Sequence, residues 1–503
     1  MRTAREKFYK PALAGLAAGL LVVVSLVQSS LNVSREKLGI TRLDPLNNMP
    51  PVLAFTTQAL GGFRGLIANA LWIRATDLQE QDRYFEMMQL ADWITKLEPH
   101  YVGVWNVQSW NMVYNISIKF KDPADRWRFV KGGIELLRDE GLKFNPGEVM
   151  MYRELGWYFQ HKMGQNMDDA HMYFKLKWAK EMNDLFGSGR PNFAALINPK
   201  TDDEKQRAQI LRDKYKMDPK VMKDIDDKYG PLEWRMPETH SIYWAWLGLQ
   251  KANGENLIAL RRMIYQSMQL AFFRGAIIED LLQGQITFGP NLDMVENANR
   301  SYEDMLALDK ENAEQIKTGH RNFLRNVPYF LYLYNRQTEA AKWMKILQEK
   351  YPEIVGPNVT VDDYAVSKTL EEVGETSQDK TSVVVGGLII KYFASLIQDD
   401  DDAAMNFYGL ATKVWERFQF KIKGQENRIG LPSLPEMRKE ILEKMLDPER
   451  GINPELQARL RTKLNLPAPA PSTNSAPARV RAPVPAGSAP VKTNAADLQP
   501  PAK

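Results

Sequence analysis

The stretch MYRELGWYFQHKMGQNMDDAHMYFKLKWAKEM, residues 151–182, decides the fold. Tyr152, Leu155, Gly156 and Phe159 recur at spacings of three and four, which places them on one face of an α-helix. Polar and glycine residues between Met163 and Asp169 predict a turn. Ala170 and Phe174 then open a second helix with the same apolar period. Two helices joined by so short a turn must lie side by side. The large aromatics wedge between them, and Gly156 and Ala170 let the backbones come close.

Working outward, the same elements return. Trp244, Leu247 and Gly248 match the first helix; Ala340, Met344, Leu347 and Pro352 match the second, with a proline to stop it. Ala403, Phe407 and Leu410 give one more second-helix match. Leu97, Glu98 and Pro99, with Trp105 following, have the spacing of a joint between consecutive pairs. Phe63, Leu66, Ala70 and Ile73, then Phe85, Leu90, Trp93, Ile94 and Leu97, continue the helical period, with a break at Asp82 and a stop at Pro99.

This pattern resembles the tetratricopeptide repeat superfamily, in pieces between residues 53 and 420. The resemblance implies an all-α, TPR-like helical-hairpin solenoid whose first helices line a concave binding face. The departures are large. Trp105 to Tyr152 is 47 residues and Tyr152 to Trp244 is 92, against a family period of roughly 34. Ser109 and Met112 stand where Gly and an aromatic are expected after Trp105. The expectation is therefore an array interrupted by insertions; a generic helical bundle is the alternative. Residues 61–99 and 229–249 also resemble segments of uncharacterised membrane-anchored repeat proteins of planctomycetes and related bacterial phyla, which implies an envelope protein and no known activity.

The remaining chain divides by composition. Residues 1–10 are basic, with Arg2, Arg5, Lys7 and Lys10 against Glu6, a net +3. No charge follows until Arg35, and residues 12–27 are almost wholly apolar. As a helix the uncharged run reaches roughly 36 Å, enough for a hydrocarbon core of about 30 Å. A transmembrane anchor is expected over 11–31, with the N-terminus held in the cytoplasm by its positive charge. A cleaved signal peptide is the alternative, and either exports the body. Gly15 and Gly19, four apart, would let another helix approach in lipid, a second copy of this chain included; an Ala/Gly-rich apolar helix also produces that spacing by chance. A linker over 32–52 ends in Pro50 and Pro51. Helical hairpins are expected over 53–186 and 241–465. The polar interval 187–240 predicts an inserted subdomain or long loop with short helices, and 355–382 a second such interval. Residues 466–503, rich in Pro and Ala, predict a disordered tail; they carry another +3, from Arg479, Arg481, Lys492 and Lys503 against Asp497.

These numbers exclude several classes. The net charge of +4 sits at the two ends, so the body is near neutral and offers no basic stripe for nucleic acid. The absence of cysteine excludes disulfides, thiolate metal sites and a cysteine nucleophile. Gly-x-Ser-x-Gly, the phosphate-binding Gly-x4-Gly-Lys-Ser/Thr and His-Glu-x-x-His are absent. Of five histidines only His161 and His171 are close, near Glu154, but their spacing is not that of a metal site. The run Asp399–Asp402 reads as the capped start of the Ala403 helix. No cofactor and no metal is expected.

Aromatics remain as the richest signal. With Tyr152, Leu155, Gly156 and Phe159 packed inward, Arg153, Trp157 and Gln160 fall on the opposite face. One hairpin earlier the same argument selects Asn106, Trp110 and Val113. A groove of Asn106, Trp110, Arg153, Trp157 and Gln160 would anchor a peptide or carboxylate. The expected function is a periplasmic, single-pass scaffold of the bacterial inner membrane, binding protein partners of an envelope, export or transport assembly without catalysis. The alternative is an envelope enzyme acting on glycan or peptidoglycan through paired carboxylates, about 5–10 Å apart.

Overall fold

In the computed structural model the described residues are 64–467, without 166, 188, 281–284, 374–377, 424–429 and 449–450, together with scattered positions between 13 and 34. The expected basic N-terminus, most of the linker and nearly all of the tail lie outside these residues. So does part of the expected anchor: Gly15–Leu20, Val22–Val24 and a few neighbours are helical and exposed, the rest of 11–31 is not described. Among the described residues no helix is long and apolar enough to cross a membrane.

The body is built of helices packed in pairs. Helix α1 (Arg64–Glu80) turns into α2 (Tyr84–Leu97) at Asp82, whose φ of 58° lies in the left-handed region. Helix α3 (Val102–Trp110) runs on as a π-helix over Asn111–Ile116 and packs on α4 (Pro123–Glu135), which has its own π continuation over Leu136–Gly141. Helix α5 (Val149–Trp157) continues as a π-helix over Tyr158–Gly164 and packs on α6 (His171–Phe186). After three short helices, α7 (Phe193–Ile197), α8 (Asp202–Asp213) and α9 (Pro219–Tyr229), come α10 (Pro237–Leu249) and α11 (Gly254–Arg274). Helix α10 lies against α5 and its π continuation, so the array resumes beside the pair it left. The short helices share the core of the body: Leu211, Met222 and Ile225, with Trp234 just beyond them, are buried in one cluster with Phe159 and Trp244. Each such side chain contributes roughly 1.5–3 kcal/mol by leaving water.

Among the described residues one segment forms strands. Ala276–Asp280 (β1) pairs antiparallel with Gln285–Gly289 (β2), with Ile277 opposite Phe288 and Ile278 opposite Thr287. The helix expected across this region gives way because Gly275 ends α11 and β-branched residues follow it. Beyond lie α12 (Val295–Leu308), α13 (Ala313–Leu333), α14 (Gln337–Lys350), α15 (Val361–Val373), α16 (Gln378–Ile397), α17 (Asp401–Lys421), α18 (Leu434–Met445) and α19 (Pro454–Lys463). The polar interval 355–382 is thus largely helical: α15 and the start of α16 occupy it. Asp400 caps α17, accepting from the Ala403 N–H at 2.9 Å, and α17 packs along α16.

The second and third pairs share several features at an offset of 47 residues. The Trp105 indole donates to the Pro99 carbonyl at 2.8 Å, and the Tyr152 hydroxyl donates to the Pro146 carbonyl at 2.9 Å. The π stretches that continue α3 and α5 each begin one residue after a tryptophan, Trp110 and Trp157. Each tryptophan packs on the ring four residues later, Trp110 on Tyr114 at 4.3 Å and Trp157 on His161 at 4.6 Å. Across the copies, Trp127 stacks on Phe174. A buried charge network also joins them: Arg126 donates to Asp168 at 2.8 Å, and Lys162 meets the other Asp168 oxygen at 2.6 Å while donating to Ser117 at 3.1 Å. Every charge in it has an opposite partner, which burial demands.

Glycine sets the closest approaches. A Cβ on Gly156 would lie 2.4 Å from Met263 Sδ, and one on Gly248 3.1 Å from Tyr152 Cβ. In the earlier pair the approach is supplied by the partner helix: a Cβ on Gly133 would meet Val113 Cγ2 at 2.6 Å and the Ser109 carbonyl at 2.8 Å. Ser109 can therefore stand where the repeat pattern expects Gly.

Candidate functional site

Outward of the buried seam, α5 and α11 do not close on each other. Between them is a recess of about 360 Å³. Trp110, Arg153, Glu154, Trp157 and Gln160 line one side; Ala259, Arg262, Met263 and Gln266 of α11 line the other. The aromatic wall is ordered by the π stretches. A π turn holds more residues than an α turn, so it rotates the side chains that follow. That rotation places Tyr114 beside His161, with the hydroxyl 3.1 Å from Nδ1, and ties the ring pairs of the two copies into one cluster.

The polar groups are unevenly satisfied. Gln160 is fully buried; its Nε2 donates to the Met263 carbonyl and to Ser267 Oγ, each at 2.9 Å. Its Oε1 has no partner, and neither does the buried Oε2 of Glu154. Arg153 stands 3.6 Å from the other Glu154 oxygen. Arg262 is held by Asp309, with Nε and Nη2 each 2.6 Å from the same carboxylate oxygen. Burial pushes the Glu154 carboxyl above its ordinary range, and Arg153 only partly opposes this. Burial and the Lys162 charge push His161 down, so its ring is neutral at pH 7.

Of the five residues selected from the sequence, Trp110, Arg153, Trp157 and Gln160 come together here. Asn106 lies one turn before Trp110 and does not line the recess; its Oδ1 is buried without a partner. Gly15 and Gly19 sit on the described N-terminal helical pieces with open space around them. His161 is engaged by Tyr114 and Trp157, while the charged neighbours of His171 are Lys175, Arg274 and Asp168. Among the described residues no three of His, Asp and Glu are grouped to hold a metal. The sequence reading missed Glu154 as a site residue and the whole α11 wall. Glu154 was legible as the neighbour of Arg153 on the same face; α11 was not, because it arrives from across the 187–240 interval.

Two other recesses are present. One of about 490 Å³ between α9, α10, α11 and α12 has the Lys228 ammonium over the Trp246 ring at 4.8 Å, with Asp304 in its wall. Another, of about 700 Å³, lies between α16 and α18 and is mostly apolar, with Glu440 on it. Each of these three recesses has one carboxylate among its lining residues. Compared with models of known families and with curated proteins, the chain matches none.

Proposed function

We propose that this protein is a membrane-anchored scaffold whose TPR-like body binds a polypeptide segment in the recess between α5 and α11. The observation that carries the reading is the convergence of Trp110, Arg153, Trp157 and Gln160, picked from repeat geometry, on that one recess. Exposed aromatic rings beside an Arg make binding hot spots, and Trp110 keeps 39% of its surface exposed. The partner would be a protein of a bacterial envelope, export or transport assembly, and the uncharged run 11–34 would hold the body in the periplasm beside it. Anchoring raises the local concentration of both, so a modest affinity suffices. A second copy bound through Gly15 and Gly19 would double that valency.

Two experiments test this. Cross-linking and co-purification of the full chain from membranes should recover partners that Arg153→Glu/Trp157→Ala loses; an unchanged set removes the recess from the function. Alkaline phosphatase fused after residue 50 should be active, and an inactive fusion refutes the topology.

A further inference from the structure

Helix α16 is apolar on both sides. Residues 381–390, TSVVVGGLII, carry no charge, and a helix apolar all round belongs in an interior. Its inner side obeys that rule: Val385, Leu388 and Ile389 are buried. Its outer side does not, for Val383 keeps 74% of its surface exposed and Ile390 41%. That side is one wall of the recess of about 700 Å³, and Met437, Ile441 and Met445 of α18 form the other. Between Val383 and Ile390 the wall is bare. Among the described residues a Cβ on Gly387 would meet nothing within 4 Å, and one on Gly386 would meet Ile441 Cδ1 at 3.7 Å. A polypeptide backbone can therefore come down onto α16 itself.

We propose that the occupant is the chain's own tail, which lies outside the described residues, with Pro483-Val484-Pro485 seated over Gly386 and Gly387. The α5–α11 recess plays no part in this. Position favours the tail first. Helix α19 starts two residues after Ile452, which lines the recess, and packs on α16. The chain leaves α19 at Pro467, whose carbonyl accepts from Arg461 at 3.0 Å. The tail thus starts roughly one helix length from the recess, about 15 Å. Val484 follows Pro467 by 17 residues, an extended reach of about 50 Å. Charge agrees. Glu440 and Lys444 are the charged lining residues, and they pair with each other at 2.6 Å. Residues 482–491, APVPAGSAPV, bring no charge that would need another partner. Hydrogen bonding agrees as well. Apart from that pair and Ser382, the lining side chains are apolar or absent. A backbone N–H entering there would lose water and gain little, which is costly. Pro483 and Pro485 have no N–H and fix their own φ. Tethering makes the encounter intramolecular, so a contact too weak to hold a free peptide is still populated.

The chain has no cysteine, so an engineered disulfide reports this contact without background. The test uses the full chain in detergent under mild oxidation. Val383→Cys/Val484→Cys should close its disulfide about tenfold faster than Glu443→Cys/Val484→Cys, once each rate is scaled to that site's reaction with a small thiol reagent. Glu443 is the control because it is exposed on α18, off the recess and within the same reach of the tail. Gly387→Leu fills the bare wall, and Ile390→Asp puts a charge on it. Each, added to the fast pair, should bring it down to the control rate while the melting temperature stays within a few degrees. Equal rates for the two pairs, or a fast rate that survives both substitutions, overturns the inference. A fast disulfide that joins two chains, read as a dimer on a denaturing gel, overturns it too, because the occupant is then the tail of a second copy.

Discussion

Lys175 and Glu238 are opposite charges buried in the core with no direct contact between them. Lys175 is on α6 and Glu238 in the first turn of α10, both with 0% of their surface exposed. Neither the Lys175 ammonium nor either Glu238 oxygen has a hydrogen-bond partner, yet each charge acts on the other across the core. Replacing Lys175 by Met preserves the length of the side chain and strands the carboxylate. Breaking a buried salt bridge costs about 3–5 kcal/mol; Lys175 and Glu238 make none, Arg274 also acts on Glu238, and removing the ammonium relieves its own burial, so the loss should fall below that range, at about 1–3 kcal/mol. Removing both charges, in Lys175→Met/Glu238→Met, should restore the stability of the native protein or exceed it by about 1–4 kcal/mol. Scanning calorimetry of the full chain reads this as an order: the single variant melts several degrees lower, the double variant at or above the native temperature. A single variant that melts within about one degree of the native protein, or a double variant no better than the single, would refute the coupling.

Lys175 loses its proton at about 8 in the folded protein, pushed down first by burial, against 10.5 when unfolded; between those values the unfolded chain binds more protons, so this group's contribution to stability rises with pH, and calorimetry in buffers of different ionisation heat at pH 9 should show proton uptake on unfolding. Gly133→Ala should destabilise by about 2–3 kcal/mol and Gly156→Ala by about 1, because Gly133 faces the fixed Ser109 carbonyl and Gly156 the movable end of Met263; equal melting temperatures would contradict this. Asp400→Ala removes the cap of α17 and should cost about 1 kcal/mol, with Asp400→Asn largely restoring it; an unchanged melting temperature in Asp400→Ala would dismiss the cap.

The helical body was legible because its signals are local. Leu155 and Gly156 pack where the three-and-four spacing puts them, and Asp82 and Asp400 mark helix boundaries by their own backbone preferences. What stayed hidden depends on distance or on register. The strands at 276–280 and 285–289 pair with each other, and nothing in Ile277 or Ile278 alone separates a short strand from a short helix. The π stretches leave no mark in composition, although they decide that Tyr114 meets His161. The α11 wall of the recess is brought to α5 by α10, which lies across an interval of 50 residues whose packing no local pattern states.

The 47-residue offset turns this into an argument about where function was written. In the earlier copy, the positions equivalent to Arg153, Glu154 and Gln160 are Asn106, Val107 and Val113. The flanking positions barely change: Trp110 answers to Trp157, and Trp105 to Tyr152. The tryptophan that opens the π stretch and the aromatic six residues after the proline thus recur in both pairs, although Leu155, Gly156 and Phe159 are answered by Gln108, Ser109 and Met112, while the charged groups of the recess occur in the second alone. The first pair makes the equivalent proline contact and ring pair without these groups, and of the three only Gln160 bonds to α11, through the Met263 carbonyl and Ser267. Grafting the first copy's residues onto the second, as Arg153→Asn/Glu154→Val/Gln160→Val, should therefore leave the melting temperature within a few degrees and abolish capture of the partner. Loss of the fold with this triple variant would show that the three groups hold α11 in place, and the recess would then be a by-product of packing.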